Sequence, residues 1–162
     1  MENQKSVNNK WVACWGNATS ITDRREAVYA KDLTLRYPIR MCFSGSMLRF
    51  RFSNLTGTEP VTLTKVFVNH TPVTFGGDTA VTLLPGKETE SDAVSIAVSR
   101  GDVVDVSFYL AGYTQMNSGT LVTGPLSKGY YAYGDYAEAD ELPLDLTRHT
   151  SWFYFLNTID IL

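Results

Sequence analysis

The sequence predicts an all-β fold, an antiparallel two-sheet sandwich of jelly-roll-like type. Apolar and polar residues alternate with a period of two, turn signals recur about every ten to fifteen residues, and helical periodicity is sparse. A length of 162 residues fits one domain. We therefore expect a single sandwich module over residues 1–162, of which the polar residues 1–10 form a disordered or extended tail.

The clearest alternation lies in residues 47–54. Leu48, Phe50 and Phe52 share one face of this strand, while Arg49 and Arg51 share the other. The three apolar side chains are therefore predicted to lie between the sheets. The two arginines are expected to face water or a partner.

The remaining strands are predicted from β-branched runs bounded by turn residues. Asn, Gly and Pro in the segment 54–60 favour a turn, so the run Val61–Val68 is predicted to form a hairpin with the preceding strand. Val104, Val106 and Phe108 are expected to be buried. Further strands are expected at 80–84, 94–98, 104–110, 130–133 and 152–162. The segment Ile21–Tyr29 allows at most one short helix.

Composition and charge exclude several classes of function. The chain is 44% hydrophobic and 19% charged, as expected for a globular protein, and its formal net charge of -3 gives no footprint for nucleic acid. No apolar run could span a membrane, and the N-terminal residues lack the apolar region of a secretory signal. We therefore expect a cytoplasmic protein, or a secreted one if a signal has been removed.

The two cysteines, Cys14 and Cys42, lack the spacing of a zinc site or a disulfide framework. The expectation is two small buried thiols. No metal or cofactor is expected.

Longer stretches carry a family resemblance. The runs Phe43–Val68 and Thr82–Leu110, followed by the segments 121–135 and 151–156, resemble the N-terminal β-sandwich domain of two-domain GDSL/SGNH hydrolases, a group that includes carbohydrate esterases. The most specific matches are Ser53-Asn54 followed by Gly57, Leu84-Pro85-Gly86 followed by Ser91-Asp92, and Gly101-Asp102 before a strand. The resemblance covers most of the chain.

The resemblance implies an accessory role rather than catalysis. In such proteins the hydrolase domain follows a strand like this last one and opens with a Gly-Asp-Ser block, but this sequence contains neither that triplet nor a G-x-S-x-G elbow. We therefore expect no catalytic residue. The expected function is a domain that packs on the SGNH hydrolase domain of the same parent chain, supports it and shapes its substrate cleft; the alternative is an autonomous carbohydrate-binding module.

Aromatic side chains are the candidates for carbohydrate binding. Sugar C–H faces stack well on tyrosine rings, and Tyr113, Tyr131, Tyr133 and Tyr136 lie in or near glycine-rich segments. Strand alternation places Tyr131 and Tyr133 on one face and Tyr130 on the other.

The candidate interface with the hydrolase domain is the start of the terminal strand, at Trp152, Phe153 and Phe155. The chain ends on the apolar Leu162, so we expect an exposed apolar patch where this strand meets the loops of residues 113–145. Such a patch predicts self-association of the isolated module.

Two other patterns are weaker. His149 lies near Asp145 and Ser151, but sequence proximity does not supply the geometry of a triad, so a surface turn is expected instead. His70 is expected to be a loop residue. Five nearby acids lack the spacing of a calcium loop and are interpreted as a solvated acidic loop or a contact with the hydrolase domain: Asp135, Glu138, Asp140, Glu141 and Asp145.

Overall fold

The computed structural model describes residues 10–21, 28–122 and 128–162. Within these ranges the chain forms eighteen strands and no helix, so no described helix is long and apolar enough to cross a membrane. The strands are β1 (Val12–Gly16), β2 (Ser20–Ile21), β3 (Tyr29–Ala30), β4 (Leu33–Arg40), β5 (Gly45–Ser53), β6 (Val61–Leu63), β7 (Lys65–Val68), β8 (Thr71–Val73), β9 (Val81–Leu83), β10 (Glu88–Glu90), β11 (Val94–Val98), β12 (Val103–Leu110), β13 (Thr114–Gln115), β14 (Ser118–Leu121), β15 (Gly129–Tyr133), β16 (Arg148–Thr150), β17 (Trp152–Tyr154) and β18 (Leu156–Ile161).

Two antiparallel sheets pack face to face, which confirms the predicted all-β sandwich. The first sheet has the order β1-β18-β5, and β10 and β11 pair along the far side of β5. The second sheet has the order β16-β15-β4-β12-β7-β8. Smaller groups, β13-β3, β17-β14-β2 and β6-β9, complete the fold. The predicted tail at 1–10, except Lys10, and residues 22–27 of the predicted helical segment lie outside the described residues.

The inner faces follow the predicted register. Leu48, Phe50, Phe52, Val104, Val106 and Phe108 are each at most 1% exposed. The ring of Phe108 meets Phe52 edge-on at 5.6 Å between centroids and so joins the two sheets. A slip of one residue would have exchanged these faces, so the register of both strands is confirmed.

The outer face of β5 carries the two arginines, as predicted. Arg49 lies 4.4 Å from the ring centroid of Trp11 and 3.1 Å from the carboxylate of Asp160, and its side chain is 25% exposed. Arg51 is 37% exposed and 3.3 Å from Glu90. Both guanidinium groups are partly solvated, and such pairs contribute little to stability.

The predicted hairpin between β5 and the run Val61–Val68 is wrong. That run is divided at Thr64 into β6, which pairs with β9, and β7, which pairs with β8 and β12. The segment after β5 forms a wide connection and not a tight turn. The buried side-chain amide of Asn54 holds it, because this amide donates to the carbonyl oxygens of Glu59 and Leu83 at 2.9 and 3.0 Å. The segment therefore carries the chain from the first sheet to the second instead of reversing it.

The central strand β4 was not predicted from the sequence. Pro38 is unusual in a strand interior because proline cannot donate a ladder hydrogen bond. Here β15 pairs with β4 only from Leu33 to Arg36, so Pro38 lies beyond that pairing. The missing N–H is therefore tolerated.

The terminal strand is also divided. Phe155 has a φ of 63° and separates β17 from β18. Its N–H donates to the carbonyl oxygen of Ser118 at 3.0 Å, and its own carbonyl accepts from Ser53 at 2.7 Å. A left-handed backbone conformation is uncommon for a bulky residue. At Phe155 it takes the chain from β17, which pairs with β14, to β18 in the first sheet.

The expectation of two buried thiols holds for only one cysteine. Cys14 is 5% exposed and belongs to the core, whereas Cys42 is exposed. Cys42 follows β4 in the turn that leads to β5, and connecting segments of this kind run over the protein surface.

Tyr37 is a buried polar anchor of the core. Its hydroxyl donates to the carbonyl oxygen of Trp152 and accepts from the N–H of Tyr154, both at 2.9 Å, and its ring stacks on Phe153 at 4.5 Å. Burial raises the pKa of Tyr37, so it stays neutral. Gly129 leaves room for this ring, because a Cβ there would lie 2.5 Å from it.

We predict that Tyr37→Phe lowers the free energy of unfolding by about 1–3 kcal/mol, since two buried hydrogen bonds are lost while the packing is kept. Urea denaturation followed by tryptophan fluorescence measures the change. Tyr130→Phe, on a half-exposed ring, is the control and should change stability by less than about 0.5 kcal/mol. Equal stability of both variants would contradict the anchoring role.

Candidate functional site

Strand β15 presents side chains to two different surfaces. Tyr131 lies opposite Leu35 and Tyr133 lies opposite Leu33, on the inner side of the second sheet. Tyr130 lies opposite Arg36, on the outer side. The predicted alternation of these tyrosines is confirmed, and it separates two candidate sites.

The first site, the tyrosine cleft, has a volume of about 230 Å³. Tyr131 and Tyr133 line it with their rings perpendicular at 6.3 Å between centroids, and Tyr133 is 60% exposed. The other lining residues are Val28, Tyr29, Ala30, Leu33, Leu35, Met116, His149, Thr150 and Tyr154. The cleft therefore combines aromatic faces with a few polar groups, as small-ligand sites do.

Tyr113 lies beside this cleft rather than inside it. It is 74% exposed and stacks on Tyr29, with ring centroids 4.8 Å apart and an interplanar angle of 4°. The hydroxyl of Tyr29 is hydrogen-bonded to Glu59, which raises the pKa of Tyr29. Sequence reasoning missed Tyr29, because it ends the segment that was considered for a short helix.

Tyr136 does not line the tyrosine cleft. Its N–H donates to the hydroxyl of Thr34 at 3.0 Å, and Thr34 points to the outer side of the second sheet, opposite to Leu33 and Leu35. The structure therefore brings together three of the four predicted tyrosines and separates Tyr136 from them.

The second site, the arginine groove, lies on the outer side of the second sheet. Arg36 is only 7% exposed and donates to the hydroxyl of Ser107 at 2.7 Å. It also donates to the carbonyl oxygens of Tyr136, Ala139 and Asp140 at 3.3, 2.6 and 3.0 Å. Burial lowers the pKa of Arg36, while the charges of Asp105 and Asp140 oppose that shift.

These contacts fasten the loop of residues 134–147 over the sheet. The groove beneath it has a volume of about 540 Å³ and is lined by Arg36, Pro38, Asp105, Tyr130, Asp140, Glu141, Leu142, Leu144, Thr147 and His149. Leu144 is 91% exposed and Leu146 is 48% exposed. The loop therefore has an ordered backbone but displays leucines to water.

Two acidic residues of this loop contact separate basic side chains, and the five acids do not converge on one point. Asp135 lies 2.6 Å from Lys65, and Asp140 lies 2.9 Å from His70. Across the described ranges, no group of three or more His, Cys, Asp or Glu side chains could hold a metal ion. His70 is in a turn, as predicted.

His149 takes part in ring packing. Its ring centroid lies 4.8 Å from that of Tyr130, and the side chain lines both candidate sites. Within the described part of the chain, no hydrogen bond links His149 to Asp145 or Ser151. Their proximity in sequence therefore does not correspond to a triad geometry.

The predicted interface residues need correction. Phe153 and Phe155 are 4% and 2% exposed, because they pack in the aromatic core against Tyr37 and Phe108. Trp152 is half-buried. Exposed apolar side chains do occur on or near the preceding loops, and they include Tyr113, Leu121, Tyr133, Leu144 and Leu146.

No family model matches the chain, and no curated protein is found with a similar sequence. The GDSL/SGNH resemblance therefore remains an expectation from the residues quoted above.

We predict that Arg36→Met lowers the free energy of unfolding by about 2–4 kcal/mol, because four hydrogen bonds to a buried charge are lost. The freed loop should also be cleaved faster at Glu138 and Glu141 by an endoprotease specific for acidic residues. Arg51→Met, on the solvated face, is the matched control and should change neither property. Unchanged cleavage in Arg36→Met would show that the loop does not depend on Arg36.

Proposed function

We propose that the chain is a non-catalytic accessory domain that packs on an SGNH-type hydrolase domain of the same parent protein. The observation that carries the proposal is the loop of residues 134–147, which Arg36 holds in one conformation while Leu144 remains 91% exposed. The family resemblance names the partner. The sandwich fold agrees with the fold that the resemblance implies.

An ordered, exposed leucine is energetically unfavourable in the isolated domain. Ordering a loop costs conformational entropy, and an exposed leucine returns no burial energy within the domain. A partner that covers Leu144 and Leu146 gains apolar burial without having to order the loop first. Fixed apolar surface of this kind is characteristic of protein interfaces.

The same surface connects the two candidate sites. Leu146 and Arg148 form a depression together with Tyr131 and Tyr133. A domain that covers Leu146 would therefore lie beside the tyrosine cleft. In this arrangement the tyrosines form one wall of a substrate cleft shared by the two domains, since ligand sites are common at domain interfaces.

We predict that the segment encoded after Leu162 is an SGNH hydrolase domain and that, purified separately, it binds this chain saturably and gains thermal stability from it. Leu144→Asp should weaken binding at least tenfold, because a carboxylate would be desolvated at the interface. Isothermal titration and thermal unfolding measure the two effects.

Leu84→Asp is the matched control, since Leu84 is 56% exposed in the turn after β9, away from the loop. It should leave the affinity unchanged. A following segment without a hydrolase fold, or one that binds Leu144→Asp as well as the parent chain, would overturn the proposal. Light scattering of the isolated chain tests the accompanying expectation of self-association.

Carbohydrate binding by the isolated module is the second candidate, supported by the tyrosine cleft. The rings of Tyr131 and Tyr133 lie perpendicular to each other, and Tyr29 and Tyr113 form a second, stacked pair. Pyranose rings present C–H faces that pack on such surfaces while their hydroxyls bond to rim groups.

We predict that, if this candidate holds, titration with xylan, mannan or cello-oligosaccharides gives saturable binding without the hydrolase domain. Tyr133→Ala should then reduce the affinity about tenfold or more, because an exposed stacking face is lost. Tyr130→Ala changes the same strand on its opposite face and should bind normally. Absence of saturable binding to all three glycans would rule out the autonomous module and leave the accessory role.

A further inference from the structure

Cys14 is positioned by an irregularity in the edge strand β1. Ala13 pairs with Asp160 and Trp15 pairs with Ile159, so Cys14 is the extra residue of a bulge. Bulges turn a side chain away from its regular direction. Here the sulfur points inward, where Cys14 is 5% exposed and its thiol lies 3.7 Å from the sulfur of Met41.

Cys42 lies directly against that sulfur. Its backbone N–H donates to Sγ of Cys14 at an N···S distance of 3.2 Å. The Cα of Cys42 is one bond of about 1.46 Å from this nitrogen, so it lies within about 4.7 Å of the Cys14 sulfur. The Cys42 side chain is exposed, so packing does not hold its present rotamer about the Cα–Cβ bond.

We propose that Cys14 and Cys42 form a reversible intramolecular disulfide, with Cys42 as the attacked thiol and Cys14 as the resolving thiol. The two residues play different roles because one is exposed and the other is buried. A small-molecule disulfide in solution reaches only Cys42, because Cys14 is buried. The mixed disulfide formed there lies beside Cys14.

The chemistry is two thiol–disulfide exchanges. The Cys42 thiolate attacks a small-molecule disulfide, forming one S–S bond and releasing one equivalent of the small thiol. The Cys14 sulfur, after losing its proton to solvent, then attacks Sγ of Cys42 and displaces the second equivalent. The two protein thiols are oxidised, the external disulfide is reduced, and the protons lost by the cysteines are taken up by the two released thiolates.

The bond would fasten the edge strand β1 to the turn between β4 and β5. In the described part of the chain β1 pairs with β18 alone, so it is held by one neighbouring strand. A disulfide closing the loop from residue 14 to residue 42 restricts the unfolded chain. The oxidised form would persist in an oxidising compartment, and the reduced form in a reducing one.

The test is incubation of the folded chain with glutathione disulfide, followed by mass spectrometry and thiol counting in denaturant. We expect both thiols to disappear and the intact mass to fall by two hydrogens, without added glutathione. Non-reducing tryptic digestion should join the peptide of residues 11–24 to that of residues 41–49. The oxidised protein should unfold roughly 5–15 °C higher, and dithiothreitol should reverse the shift.

The single variants separate the two roles. Cys14→Ser should stop at the glutathione adduct on Cys42, whereas Cys42→Ser should remain unmodified while folded. Both should show no thermal shift attributable to a bridge. A stable glutathione adduct on the parent chain, or a disulfide between two chains through Cys42, would overturn the proposal without requiring either variant to fold, and neither outcome bears on hydrolase docking.

Discussion

The contact between the two sheets at Phe108 is the interaction on which the other features depend. Its ring meets Phe52 of the first sheet and Phe155 of the terminal segment edge-on, and it also contacts Tyr37 of the neighbouring strand. These large, rigid rings fix which face of each strand is inside. Once the inner faces are fixed, the outer sides that carry Arg36 and Arg49 follow from strand alternation.

The second sheet supports two surfaces because β15 lies near its edge. Among the described strands, only the short β16 lies beyond β15, so Tyr131 and Tyr133 are incompletely covered on the inner side. On the outer side, the loop of residues 134–147 is attached to the sheet by hydrogen bonds from Arg36 and not by apolar packing alone. The two surfaces meet at Leu146 and Arg148, so a docked domain and a bound sugar would lie side by side.

The first sheet has an irregular edge strand. Its edge strand β1 is bulged and pairs with one strand within the described residues. The bulge directs Cys14 into the core beside Met41 and the backbone of Cys42. The same irregularity that loosens the strand ladder therefore creates the contact through which the strand could be covalently held.

The sequence by itself determined the fold class, the positions of about half of the described strands, and the faces of the residues with clear alternation, including Phe50, Val106 and Tyr131. Alternation is a local property of an extended chain, so it can be recognised without knowing the partner strand. It failed for β4, where Pro38 obscured the pattern, and it could not exclude a hairpin after β5.

Only the tertiary structure decided the long-range pairings. Arg36 finds three carbonyl acceptors about a hundred residues further along the chain, and alternation alone would have placed this outward arginine in water. Phe153 and Phe155 were expected on an interface, but packing buried them once Phe155 adopted a left-handed φ. Such outcomes depend on which distant groups meet, and that is set by packing of the whole core rather than by neighbouring residues.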